Sequence, residues 1–306
     1  MRPPNPSPAT SRLVLVLLAG IFAVSLSAIF IRLADAPGVV VALYRMLLAS
    51  LLLAPLSVRA LRKTPLSSHT FRYAGLAGVF LGLHFATWIT SLSYTTVAAS
   101  TTLVATTPIW VALFSWIFLK LSPPFTVLLG VLLAVLGAAL IGFGDLGSDA
   151  GSAPLIGYAL ALAGALSAAA YFLLGRSAQR QGLGLQAYIG VAYGVAAAVL
   201  VPLPLLFGLS YTAYSTETFL WILGLALVPQ LVGHTAYNYA MKHLDPTLVA
   251  TAILLEPVGA SLLALAIFGE VPTALTLVGA LILLVGVAIT TRNSRAVAPQ
   301  SASQAP

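Results

Sequence analysis

The sequence predicts an all-α integral membrane protein of ten transmembrane helices, arranged as two inverted five-helix repeats around a central cavity. Three observations lead there. Hydrophobic residues make up 60% of the chain and charged residues 7%, against roughly 45–50% and about 25% in soluble domains. Ten apolar stretches approach the roughly 20 residues that a bilayer crossing needs. The second half also repeats the first at a fixed offset, since 257 − 108 = 149 carries Pro108 to Pro257. The same step carries Pro123 to Pro272, Pro55 to Pro204, Gly130 to Gly279, Gly137 to Gly286 and Tyr44 to Tyr193. Each copy holds five spans, an odd number, so a continuous chain must thread the second copy in the opposite sense.

The expected spans run near 13–31, 38–57, 73–92, 97–118, 125–143, 154–174, 186–207, 218–240, 247–268 and 271–290. The first repeat therefore occupies 1–145, with spans over about 13–143, and the second occupies 150–294, with spans over about 154–290. A tail over 295–306, rich in Pro, Ser and Ala, is expected to be disordered. The connections are short and leave no room for a soluble domain. The first span ends in the small-residue stretch Ser25-Leu26-Ser27-Ala28, like a secretory signal, but its apolar run continues through Ile31 and has a counterpart near 154–174. It reads as a permanent helix.

The second span carries Arg45, the third His84 and Trp88, and the fourth opens on Ser100, Thr101, Thr102, Thr106 and Thr107 before Pro108 and Trp110. His84 and Trp88 are four residues apart and so share a helix face, as do Thr102 and Thr106. Hydroxyls beside a proline can satisfy carbonyls that lose their helical partner and can also bind a ligand. The eighth span carries His234, Tyr237 and Asn238, with His234 and Asn238 on one face; the offset lays Phe85 on His234 and Trp88 on Tyr237. The ninth carries Thr251, Glu256 and Pro257. Pro108 and Pro257 are expected to kink their helices at mid-depth, the position of the substrate site in inverted-repeat carriers. Gly78-xxx-Gly82 and Gly190-xxx-Gly194 read as close-packing motifs.

The net charge of +7 sets topology and does not point to nucleic acid. With the N-terminus in the cytoplasm, the inner side receives Arg2, Arg12, Arg59, Arg62, Lys63, Arg72, Lys120, Arg176, Arg180, Lys242, Arg292 and Arg295, and the outer side only Arg32. Such a bias places both termini in the cytoplasm. Two charges remain within the spans, Arg45 and Glu256. At about 1.5 Å per residue their depths differ by only about 6 Å of the roughly 30 Å core. They can form an ion pair, or Glu256 can bind substrate or a coupling proton. Charges at this depth are costly and face a cavity or a partner.

His84, Trp88, Thr102, Thr106, Trp110, His234, Tyr237, Asn238 and Glu256 are thus the candidate substrate-binding residues. Catalysis finds no support: there is no cysteine, no nucleophile elbow, phosphate loop or HExxH run, and Gly142-Phe143-Gly144-Asp145 has no second Asp within a span. No cofactor or metal site is indicated. The expected partners are a small-molecule substrate and the lipid bilayer.

Ten spans in two five-helix repeats, Arg45 in the second helix and a Pro-then-Gly pattern closing each half resemble the drug/metabolite transporter superfamily, specifically its EamA-type exporters. The resemblance covers residues 13–290 and is most specific in Glu256-Pro257-Val258, Phe268-Gly269-Glu270 and the run from Gly279 to Gly286. The first repeat departs from it, with Thr107 where Glu256 would align and Leu121 where Glu270 would. The resemblance implies export of amino acids or related metabolites across a bacterial inner membrane. Aromatic amino acid exporters are the nearest type, because His84, Trp88, Trp110 and Tyr237 would furnish an aromatic, hydrogen-bonding cavity. An exporter of drugs or other organic cations, with Glu256 as the cation's partner, is the alternative; a membrane-embedded enzyme is a distant third.

Overall fold

A computed structural model describes residues 8–63, 67–120, 124–144, 151–243 and 254–293. All secondary structure among them is helical. Seven helical stretches are long and apolar enough to cross a membrane: Leu15–Leu33, Gly38–Lys63, Ser68–Ser91, Val97–Phe118, Pro154–Arg180, Leu185–Leu206 and Thr216–Ala240. Three shorter apolar helices, Phe125–Ile141, Leu255–Phe268 and Ala274–Ile289, stand where the fifth, ninth and tenth spans are expected. Residues 247–253 of the ninth lie outside the described residues. Leu15, Phe22, Leu51, Phe118, Leu205 and Leu281 point outward, an arrangement that suits a lipid-facing surface and would be an aggregation hazard in water.

Several spans are broken, and the sequence explains most of the breaks. The first consists of α1 (Pro8–Ser25) and α2 (Ser27–Leu33). Ser25 Oγ donates to the Ile21 carbonyl at 2.9 Å, the local competition with the backbone that bends helices. α3 (Gly38–Lys63) and α4 (Ser68–Ser91) are continuous. The fourth span divides into α5 (Val97–Val104) and α6 (Thr107–Leu119). The sequence leads one to expect a kink at Pro108. The chain instead leaves the helix before it, because a proline ring collides with the carbonyl four residues back, here Val104, the last residue of α5. The freed carbonyls are taken up by hydroxyls: Thr106 Oγ1 donates to Leu103 O at 2.6 Å and Thr107 Oγ1 to Val104 O at 2.8 Å.

α7 (Phe125–Gly144) and α8 (Pro154–Arg180) follow, then α9 (Leu185–Leu200) and α10 (Pro202–Leu206). The eighth span consists of α11 (Thr216–Leu225), a π-helical segment (Ala226–His234) and α12 (Thr235–His243). Pro229 lies inside the π-helical turns, and the residue four before it, Leu225, ends α11, so the wider turns accommodate the ring. α13 (Leu255–Phe268) has Pro257 in its first turn, and α14 (Ala274–Asn293) completes the described helices.

Packing repeats at the 149-residue offset. α4 lies on α8 as the π segment and α12 lie on α1, and α5 and α6 meet α8 as α13 meets α1 and α2. α3 against α9, α5 against α13 and α7 against α14 pair equivalent elements of the two halves. In the last pair the aligned glycines meet crosswise. A Cβ on Gly137 would stand 2.5 Å from the Gly279 carbonyl oxygen, and one on Gly286 2.5 Å from that of Gly130. Only glycine permits this approach.

Candidate functional site

The breaks in the first and eighth spans converge on Arg45. This residue lies two turns into α3 and is 0% exposed. Its Nη1 donates to Ser27 Oγ at 2.9 Å, the first residue of α2, and its Nε to Gln230 Oε1 at 2.8 Å, inside the π segment. The guanidinium lies 4.0 Å from the centre of the Phe85 ring and 6.0 Å from that of Trp88. Its Nη2 finds no hydrogen-bond partner among the described residues. A buried cation is thus held by two neutral acceptors and an aromatic face, with Nη2 left without a partner among the described residues.

Of the two readings of Arg45 and Glu256, the ion pair is not made among the described residues. Among the described residues the salt bridge joins Arg32 to Glu270 instead. Glu256 sits in the first turn of α13, where the helix dipole favours a carboxylate, while Arg45 is turned toward Phe85, Ser27 and Gln230. The Glu256 backbone carbonyl accepts from Ser25 Oγ at 3.5 Å, beside the break between α1 and α2 that also supplies Ser27. Arg45 and Glu256 therefore both lie near that break without forming an ion pair with each other.

His84, Trp88, His234 and Tyr237 come together around Phe85. His84 stacks on Trp88 with centroids 5.8 Å apart and rings 9° from parallel. Phe85 meets the His234 ring edge-on at 5.5 Å, and His234 lies 6.0 Å from Tyr237. His84 Nδ1 stands 2.9 Å from the Gly164 carbonyl, which can only accept, so this nitrogen carries a proton and the ring is fixed against α8. Gly164 is small for a reason: a Cβ there would stand 3.1 Å from that of Trp88. Trp88 Nε1 and Tyr237 Oη are buried with no hydrogen-bond partner among the described residues.

The remaining candidates are placed differently. Asn238 and the Tyr171 hydroxyl exchange hydrogen bonds at 3.4 Å, so Asn238 anchors α12 to α8. Thr102 is buried in α5. Thr106 accepts from Trp110 Nε1 at 3.1 Å, a bond within the fourth span itself. That span still borders the aromatic group, since Thr107 Oγ1 approaches the Ala165 carbonyl at 3.5 Å, one residue from the carbonyl that holds His84. Sequence reasoning did not single out Gln230 and Ser27 as partners of Arg45, and noted Phe85 only as the residue aligned with His234. The available signal was an amide directly after Pro229 and a serine pair inside an apolar run, each a polar group beside a disrupted helix.

Comparison with known proteins gives a consistent picture. A family model described as the EamA-like transporter family matches residues 11–143 and 155–292. An uncharacterized transporter of Archaeoglobus fulgidus is 27% identical over 283 residues, which is 92% of this chain and 97% of that protein. The uncharacterized transporter YdfC of Bacillus subtilis is 28% identical over 214 residues, 69% of this chain and 68% of that protein. A solved crystal structure shares the fold with a TM-score of 0.64 at 18% identity, covering 94% of this chain and 98% of that one.

Proposed function

Since the chain belongs to the EamA-like transporter family, we propose that it is a secondary carrier that exports a small zwitterionic metabolite by alternating access. An amino acid with an aromatic side chain fits best. In this reading ten spans form two inverted repeats, over 1–145 and 150–294, around a central site in a bacterial inner membrane, with both termini cytoplasmic. The single observation that carries the substrate class is the separation of Arg45 from Glu256. Among the described residues Arg45 Nη2 has no partner and is suited to a carboxylate, and the Glu256 carboxylate has no ion-pair partner, so that it can take an ammonium group or a coupling proton. The stacked His84 and Trp88 rings beside Phe85 and His234 offer faces on which an aromatic side chain can lie.

The test is substrate counterflow in proteoliposomes, with aromatic amino acids, aliphatic amino acids and organic cations as labelled solutes. Saturable counterflow of aromatic amino acids, competed by their unlabelled forms and lost in Arg45→Gln, is the expected result. Counterflow of organic cations alone, with Arg45→Gln as active as wild type, would replace this reading by export of cations. The Glu256 carboxylate, which has no ion-pair partner among the described residues, is the feature that favours that second reading. No counterflow with any of these solutes would overturn both.

A further inference from the structure

We propose that Arg32 and Glu270 form a latch that closes the non-cytoplasmic end of the transport path. Arg32 stands in the last turn of α2. Its Nη1 donates to Glu270 Oε1, and its Nη2 donates to the Thr95 carbonyl at 2.6 Å. The other carboxylate oxygen, Oε2, accepts from the Val97 amide at 3.0 Å. Val97 is the first residue of α5, and its N–H has no acceptor within the helix. One ion pair thus ties together the end of the first span, the start of the fourth and the connection after the ninth. In a carrier these elements must part to open that side.

The two side chains are 26% and 18% exposed, which places the latch at the water boundary. A cavity of about 420 Å³ opens beside it, lined by Arg32, Asp35, Pro37 and Ser93 among others. On the inner side Ser100, one turn past Val97, is fully buried and bonded to Ser91 at 2.6 Å. The repeat adds a second argument. The offset places Gln181 opposite Arg32, since 32 + 149 = 181, and Leu121 opposite Glu270, since 270 − 149 = 121. Neither is charged. Gln181 Oε1 lies 3.1 Å from His69 Nδ1 and accepts from Thr70 Oγ1 at 3.1 Å, at the start of α4. The position equivalent to Arg32 thus makes only neutral hydrogen bonds among the described residues, and the ion pair, which has no charged counterpart there, biases the resting carrier toward closure on the non-cytoplasmic side.

The proposal rests on the carrier reading but is tested without substrate, so either can fail while the other stands. The chain contains no cysteine, and a single introduced thiol reports accessibility directly. Ser100→Cys lies beneath the latch, and Ala192→Cys, buried where α9 crosses Gly78 of α4, reports loss of the fold. A membrane-impermeant maleimide is added to the outside of right-side-out vesicles. Ser100→Cys should label slowly, and Arg32→Gln or Glu270→Gln should each raise its rate about tenfold, a modest population shift. Combining them should add nothing further, while Ala192→Cys stays protected. Unchanged Ser100→Cys labelling in both variants, or additive increases, would overturn the latch. Labelling at Ala192→Cys as well would mean that the pair holds the fold together, which also overturns it.

Discussion

Arg45 is held by two neutral acceptors and an aromatic ring, with no carboxylate paired to it among the described residues. Insertion scales put the cost of a central Arg at about 2.5–3.5 kcal/mol. A hydrogen bond to a charged group returns roughly 1.5–3 kcal/mol, and a desolvated cation–π contact about 2 kcal/mol. The bonds to Ser27 and Gln230 with the Phe85 contact therefore suffice to offset that cost without Glu256. Two opposite outcomes follow. Gln230→Leu should destabilise the protein by about 2–3 kcal/mol, because it strips a buried cation of an acceptor, whereas Glu256→Gln should change stability by less than about 1 kcal/mol, since no pair is broken. Chemical unfolding in detergent micelles reads both; a larger loss in Glu256→Gln than in Gln230→Leu would contradict this account. Transport separates roles from packing. His84→Ala and Trp88→Ala should each lower amino acid counterflow about tenfold, equivalent to losing about 1.4 kcal/mol of site interaction, at matched amounts of folded protein. Wild-type rates in both would remove the stacked pair from the site.

At the scale of elements, discontinuity positions the polar groups, and glycine permits the tightest contacts. The two glycine roles can be told apart by the sign of a substitution. A Cβ on Gly279 would stand 2.7 Å from the Gly137 carbonyl oxygen, while one on Gly194 would meet nothing within 4 Å. Gly279→Ala should therefore cost about 1–3 kcal/mol through overpacking, and Gly194→Ala should gain up to about 1 kcal/mol from helix propensity. Thermal unfolding in micelles of one composition decides it, and equal effects at the two sites would refute the crosswise contact. The pair Gly190 and Gly194 looks like one packing motif in the sequence, yet Gly190 alone is crowded, against Ser57. Spacing identifies a face but not which of its residues meets a neighbour. The break in the fourth span was more legible, because Pro108 forbids the helix and Thr106 and Thr107 stand ready to satisfy what it frees. The π segment was not: Pro229 signals a disturbance, but whether the backbone kinks or widens depends on what packs around it.

Over the whole molecule, hydrophobic length made the helical elements legible, and the 149-residue offset picked out the four glycines between α7 and α14, which meet crosswise to that alignment, Gly137 with Gly279 and Gly130 with Gly286. The wiring of Arg45 stayed hidden because Ser27 and Gln230 come from other spans, in different halves, and composition carries no information on which polar groups face each other. The charge pattern predicts the orientation of the bundle. Arg59, Arg62, Lys63, Arg72, Arg176 and Arg180 flank connections at one end, against Arg32 alone among Lys and Arg at the other. Because basic residues near span ends are retained in the cytoplasm, both termini should be cytoplasmic and the connection around Gly147 should face outward. Five crossings per half would produce that result, whereas losing a span from the first half would move both Gly147 and the C-terminus to the other side, and losing one from the second half would move the C-terminus alone. Fusion of a phosphatase or fluorescent reporter after Gly147 and after Arg292 distinguishes the cases. Phosphatase activity from the first fusion with fluorescence from the second is expected, and fluorescence from both would overturn the inverted arrangement of the halves.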